Sequence, residues 1–140
     1  MSIAIRTLVD ADVDAVIALW RDTGLVREWN DPRKDIERAR GVWPELLLVA
    51  DDDAIVGSVM AGYDGHRGWL YYLATSPERR GEGIGRRLVT EAEQRLIALG
   101  CPKVMLMVRD TNARVFSFYD PLGYHRETSL LSGKRLIADA

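Results

Sequence analysis

Four arginines, Arg79, Arg80, Arg86 and Arg87, bracket three alternating glycines, Gly81, Gly83 and Gly85, in a chain whose formal net charge is -2. Glycines let a backbone turn tightly and come close to a ligand. Where such a turn opens a helix, the first amides have no internal partner and add to the positive end of the helix dipole. A phosphate suits that position. The apolar run Leu70 to Thr75 before the glycines and the helix-patterned segment ending near Leu99 after them supply a strand, a turn and a helix. A plain connecting turn has no need of so much cation.

Two phosphate loops are excluded by the residues themselves. A P-loop requires Gly-Lys followed by Ser or Thr, and here Gly85 is followed by Arg86 and Arg87. A dinucleotide fingerprint requires Gly-x-Gly-x-x-Gly, but counting from Gly81 the last position is Arg86, and from Gly83 it is Leu88.

The elements that position this loop follow from periodicity. Ile3 to Leu8 reads as a strand, after which Asp10 or Asp12 caps a helix. Val13, Val16, Ile17 and Trp20 make the buried stripe of that helix, which ends before Gly24. Asp31-Pro32 starts a second helix, an aspartate cap with proline at the first helical position. Leu46 to Ala50 and Ile55 to Ala61 form a hairpin around Asp51-Asp52-Asp53, which reads as a solvated turn. Trp69 to Thr75 feeds the glycine loop, and Ile84, Leu88, Ala92, Leu96 and Leu99 face the core until Gly100 closes their helix.

Beyond it, Val104 to Val108 is an unbroken apolar run, the pattern of a central strand covered on both faces. A last helix capped at Asp110, Thr111 or Asn112 buries Val115, Phe118, Tyr119 and Leu122, and Pro121 ends or distorts it. Glu127 to Ile137 is assigned one or two closing strands. Interleaved strands and helices make the class α/β (α+β), a single domain over residues 1–140. The expected architecture is a central mixed, mostly antiparallel sheet flanked by about four helices.

Composition excludes several functions. A chain of 140 residues holds one core without staples. Cys101 is the only cysteine, so no internal disulfide forms, and a small buried hydrophobe is favoured over a reactive thiol. No apolar run approaches the ~20 residues that span a bilayer, and a cytoplasmic protein is expected. The slightly acidic balance offers no field for nucleic acid, and no metal site is expected.

The segment Arg80, Gly83 and Gly85 is similar to the Arg/Gln-x-x-Gly-x-Gly/Ala signature of the GNAT acetyltransferases. A second signature of that family, Asn-x(6)-Tyr-x(3)-Gly-aromatic, is matched by Asn112, Tyr119, Gly123 and Tyr124. The resemblance covers almost the whole chain. Trp29-Asn30-Asp31-Pro32, Gly62 to Gly68 and Gly133-Lys134-Arg135-Leu136 look like the bacterial YpeA-type subgroup.

The resemblance implies an N-acetyltransferase that moves an acetyl group from acetyl-coenzyme A to a primary amine of a small molecule or protein. The backbone of Leu73, Ala74 and Thr75 would take the pantetheine arm and the oxyanion. Gly81, Glu82, Gly83, Ile84, Gly85 and Arg86 would take the pyrophosphate, with Arg80 supplying charge and holding the loop. Asn112 matches a family residue that contacts the cofactor, and Tyr119 one that meets the thiolate leaving group. Pro121 departs from the family pattern, as does the fourth strand, which has no carboxylate to act as base.

Tyr71 or Tyr72 could bind a water instead, with Glu28, Asp64 and His66 as outside candidates. Trp29, Asp31, Asp35, Tyr63 and Asp64 would form an aromatic and acidic rim for a cationic acceptor. The competing reading is a non-catalytic module that binds acyl-coenzyme A for regulation. An exposed strand near the carboxyl terminus leaves a homodimer open.

Overall fold

The computed structural model describes residues 2–139, with the side chains of Asp110, Thr111 and Ala113 outside the description. Strands β1 (Ala4–Thr7), β2 (Leu47–Asp51), β3 (Ile55–Tyr63) and β4 (Gly68–Thr75) pair antiparallel in chain order, and β5 (Val104–Leu106) joins β4 in parallel. Helices α1 (Val13–Asp22) and α2 (Pro32–Val42) share a core with Leu47, Val49 and Met60. Helix α3 (Ile84–Ala98) packs with Leu48, Ala50 and Val59. Successive residues of a strand face opposite sides. With both sides covered, β2 must be apolar at Leu47, Leu48, Val49 and Ala50 alike, and all four are buried.

Helix ends follow local chemistry. At the end of α1 the Leu25 amide donates to the Trp20 carbonyl at 2.9 Å, and Gly24 takes φ 75°. That is the glycine-terminated closure the sequence predicts. The Asp31 carboxylate accepts from the Arg33 and Lys34 amides at the start of α2. Helix α3 begins after Gly83, which holds φ 79°, and buries Ile84, Leu88, Val89, Ala92 and Leu96.

Several expectations are corrected. Asp12 does not cap α1: its carboxylate is paired with Arg6 at 2.7 Å and accepts the Val9 amide. The turn aspartates are not simply solvated, because Asp51 pairs with Arg6 at 3.0 Å and Asp52 with Arg79 at 2.9 Å. Cys101 is half-buried, its Sγ 3.3 Å from the Lys103 carbonyl.

Strand β5 is an edge strand of three half-buried residues rather than a central one. Among the described residues nothing pairs with its far side. No regular strand covers Glu127 to Ile137. That segment is fastened instead by charge, as the Asp139 carboxylate accepts from Arg38 at 2.6 Å, from Arg135 at 2.9 Å and from the Asp31 amide at 2.7 Å.

The last helix is also broken. A 3-10 stretch, Asp110–Val115, leads into the single turn α4 (Phe116–Tyr119), and a further 3-10 turn, Asp120–Leu122, carries Pro121. Proline has no amide to continue the helical ladder. Asn112, with φ -129° and ψ 39°, interrupts the first stretch and so caps no continuous helix. The Asp110 and Thr111 alternatives for that cap lie outside the described side chains. Among the described residues, no helix is long and apolar enough to cross a membrane.

Candidate active site

Strand β4 carries the irregularity that shapes the site. Ser58 faces Ala74 across the β3–β4 ladder and Met60 faces Tyr71, so Tyr72 and Leu73 together lie opposite Val59 alone. Two residues against one is a β-bulge, which bends the strand and releases its backbone from the ladder. Tyr72 accordingly sits at φ 53°. A left-handed aromatic residue costs on the order of 1–3 kcal/mol, and such strain persists where surrounding contacts over-determine it.

The opposite edge of β4 is free just where the bulge occurs. Pairing with β5 covers only Gly68, Trp69 and Leu70, opposite Val104, Met105 and Leu106. From Tyr71 to Thr75 that edge therefore has no strand beside it among the described residues. An open edge offers main-chain donors and acceptors to an extended ligand bearing amides.

Of the residues named from sequence, Tyr63, Asp64, Tyr71, Leu73, Asn112 and Tyr119 line one cavity of about 1160 Å³. Tyr72 and Asp35, also named from sequence, join them there. Trp29 and Asp31 do not. Trp29 is exposed, and the Asp31 carboxylate is engaged at the start of α2. Glu28 and His66 are likewise exposed and outside the lining.

Asp64 is engaged as well, accepting from the His66 and Arg67 amides at 2.8 and 2.7 Å. Those amides, that of Arg67 foremost, hold its carboxyl below the ordinary range. Tyr71 is partly exposed, with its hydroxyl pushed up by burial and then by the Asp64 charge. Tyr72 is not free to hold a water through its proton, because its hydroxyl donates to Asp35 Oδ2 at 2.6 Å.

Tyr119 is buried, its ring edge-to-face with Phe118 at 4.9 Å and with Tyr124 at 5.3 Å. Burial pushes its hydroxyl up to about 12. No described residue contributes a hydrogen bond to that shift, and Tyr119 lines the cavity.

The glycine loop stands outside the cavity lining and presents backbone. At the start of α3 the Arg87 amide donates to the Gly83 carbonyl at 3.1 Å. The amides of Ile84, Gly85 and Arg86 precede that bond and have no partner within the helix. The side chains of Ile84 and Ala74 are buried in the core and that of Glu82 is paired with Arg79, in keeping with the backbone role expected of these positions.

The role of holding the loop, assigned from sequence to Arg80, belongs to Arg79. Its guanidinium spans Asp52 at 2.9 Å and Glu82 at 2.9 Å, joining the β2–β3 turn to the glycine loop. Arg80 is exposed and has no carboxylate partner among the described ion pairs. The i, i+3 spacing of Arg79 and Glu82 was the available signal. Arg86 lies with Arg87 on a separate cavity of about 400 Å³.

Comparison with known proteins gives this geometry its family. The model of the acetyltransferase (GNAT) family matches residues 13–124. An acetyltransferase of Pectobacterium atrosepticum is 50% identical over 136 residues, covering 96% of each chain. An acetyltransferase of Yersinia enterocolitica is 49% identical over 136 residues, again covering 96% of each. The solved structure of the PaiA N-acetyltransferase of Thermoplasma acidophilum, in complex with coenzyme A, superposes with a TM-score of 0.77 at 25% identity, covering 92% of this chain and 93% of that one. The match of one family model to four-fifths of the chain's length, together with relatives half identical from end to end, means that this protein belongs to the GNAT acetyltransferases.

Proposed function

We propose that the chain is an N-acetyltransferase that moves an acetyl group from acetyl-coenzyme A to a primary amine of a small molecule or protein. The observation that carries this reading is the free β4 edge from Tyr71 to Thr75, set between the glycine loop and the cavity that holds Tyr119. The residues present fit the donor. Leu73 and Thr75 offer backbone to a pantetheine arm, and the amides at the start of α3, with Arg80, suit a pyrophosphate. When bound, acetyl-coenzyme A supplies an activated thioester.

The chain's own part is positional and electrostatic. A bulge amide near Leu73 or Ala74 would stabilise the oxyanion of the tetrahedral intermediate formed by direct amine attack. Tyr119 faces the thiolate. A hydroxyl near 12 lies ~3.5 units above a thiol near 8.5, so full proton transfer is about 5 kcal/mol uphill. The role this supports is a hydrogen-bond donor rather than an acid that gives up its proton.

On the acceptor side, Tyr63, Tyr71, Asp64 and Asp35 give the cavity aromatic faces and negative charge suited to an amine. The reading takes the protein as cytoplasmic and without a metal. Incubation with acetyl-coenzyme A and a panel of amines, peptides included, tests it through thiol release. Release with at least one acceptor is expected. Tight cofactor binding without release from any acceptor would favour a regulatory module instead.

A further inference from the structure

We infer that Trp20 and Ser58, both outside the cavity lining, are positioning residues that hold the Tyr72–Leu73 bulge in its working shape; this rests on the acetyl-transfer reading above. The bulge leaves strand backbone without its usual ladder partner. Ser58, on β3, makes good the loss, for its Oγ donates to the Tyr72 carbonyl at 2.9 Å. The same oxygen accepts from Trp20 Nε1 at 2.8 Å. Both residues are fully buried, and Ser58 is one of only two buried polar or charged residues among those described.

The indole acts on Tyr72 twice. Through Ser58 it reaches the carbonyl, and by stacking it meets the ring, with centroids 3.8 Å apart and planes 9° from parallel. A third contact comes from α2, where Asp35 accepts the Tyr72 hydroxyl. Carbonyl, ring and hydroxyl of one residue are thus held by three different elements, α1 with β3, α1 alone, and α2. This is the over-determination that a strained left-handed tyrosine requires.

An alanine at 58 and a phenylalanine at 20 would satisfy the apolar core without any polar relay. The relay is therefore tied to the bulge rather than to core filling. Because Leu73 lines the cavity as the second residue of the bulge, a shift of the Tyr72 backbone moves the backbone offered to the acetyl group. A displacement of about 1 Å at a reacting centre costs up to a hundredfold in rate.

Trp20→Phe keeps a six-membered ring against Tyr72 but removes the N–H together with the rest of the indole's five-membered ring, so Ser58→Ala, which removes the relay with the loss of a single oxygen, is the cleaner variant. Each variant is to be compared with the wild type for kcat and acceptor KM, for coenzyme A affinity by calorimetry, and for thermal melting. The expected result is a fall in kcat of roughly tenfold to a hundredfold, clearly larger than any loss of coenzyme A affinity through the Leu73 backbone, with acceptor KM within about twofold and the folded fraction unchanged. The double variant should be no worse than the more damaged single one, since both act on one carbonyl. Unchanged kcat in both variants overturns the inference. So does a parallel fall of kcat, coenzyme A affinity and folded fraction, which marks a structural role alone. A wild type that releases no thiol with any amine overturns the acetyl-transfer reading itself, and this inference with it.

Discussion

Gly85, in the first turn of α3, lies so close to Phe118 that a β-carbon built on it would stand 3.2 Å from the ring Cζ. The glycine loop and the tyrosine segment, far apart in sequence, meet at that contact. Phe118 in turn packs edge-to-face on Tyr119. A change at the donor loop is therefore transmitted to the hydroxyl proposed to meet the sulfur.

Gly85→Ala separates stability from activity. Alanine gains about 1 kcal/mol in helix propensity. Displacing the partly exposed Phe118 ring costs a comparable amount, at the low end of the ~1–3 kcal/mol typical of overpacking. Thermal stability should stay nearly level while kcat and coenzyme A affinity fall. Melting curves beside steady-state kinetics check this, and an unaltered kcat would disconnect the loop from Tyr119.

Tyr119→Phe keeps the ring and its two aromatic contacts but removes the oxygen. As a lost hydrogen-bond donor to the leaving group it should lower kcat by on the order of a hundredfold. Coenzyme A affinity, read by calorimetry, should stay within about twofold, because the proposed contact forms as the thiolate departs. A matched loss of affinity would assign the hydroxyl to ground-state binding.

Arg79→Ala and Arg80→Ala should diverge. Removing Arg79 cuts the link between Asp52 and Glu82, so the melting temperature and coenzyme A affinity both fall. Removing Arg80 should spare the melting temperature and weaken the cofactor alone. It should also flatten the dependence of affinity on salt, since the lost term is an exposed charge facing phosphate. Titrations at two ionic strengths distinguish these outcomes.

Alkaline stability should drop more steeply than for a protein with ordinary tyrosines. Burial raises Tyr119 to about 12 and also raises Tyr72 and Tyr124, the last two helped by Asp35 and Glu93. Above about pH 10 the unfolded chain releases these protons while the folded chain keeps them. The folded state then binds more protons, and stability falls as pH rises. Urea midpoints at pH 9 and pH 11 measure the slope, which Tyr119→Phe should make shallower.

Much of this molecule was legible in order along the chain. The caps at Asp31 and Gly24, the face of α3 and the glycine punctuation all depend on neighbours within about one helical turn, and the structure keeps them. Expectations that needed a distant partner fared worse. Val104 to Val108 has the composition of a central strand, but an apolar run does not say whether a further strand will follow it. The family motif contains Arg80 and not Arg79, while the partner that makes Arg79 the brace of the loop, Asp52, is 27 residues away.

The acceptor rim divides in the same way. Of the five rim residues named from sequence, Asp35, Tyr63 and Asp64 line the cavity, whereas Trp29 and Asp31, two positions apart in a loop, do not. Ser58 was a visible anomaly, a small polar residue within the apolar run Ile55 to Ala61, and its meaning appeared only with its partners.

The sequence alone carried the motifs that match the family, most of the order of elements and the glycine loop proposed to face the donor, because motif spacing and periodicity are local properties. Tertiary structure decided the bulge at Tyr72, the free edge of β4 and the company Tyr119 keeps. The first two depend on strand register, which is set by side chains that meet across the sheet from distant parts of the chain, and the third on how the segment carrying Tyr119 packs against the start of α3.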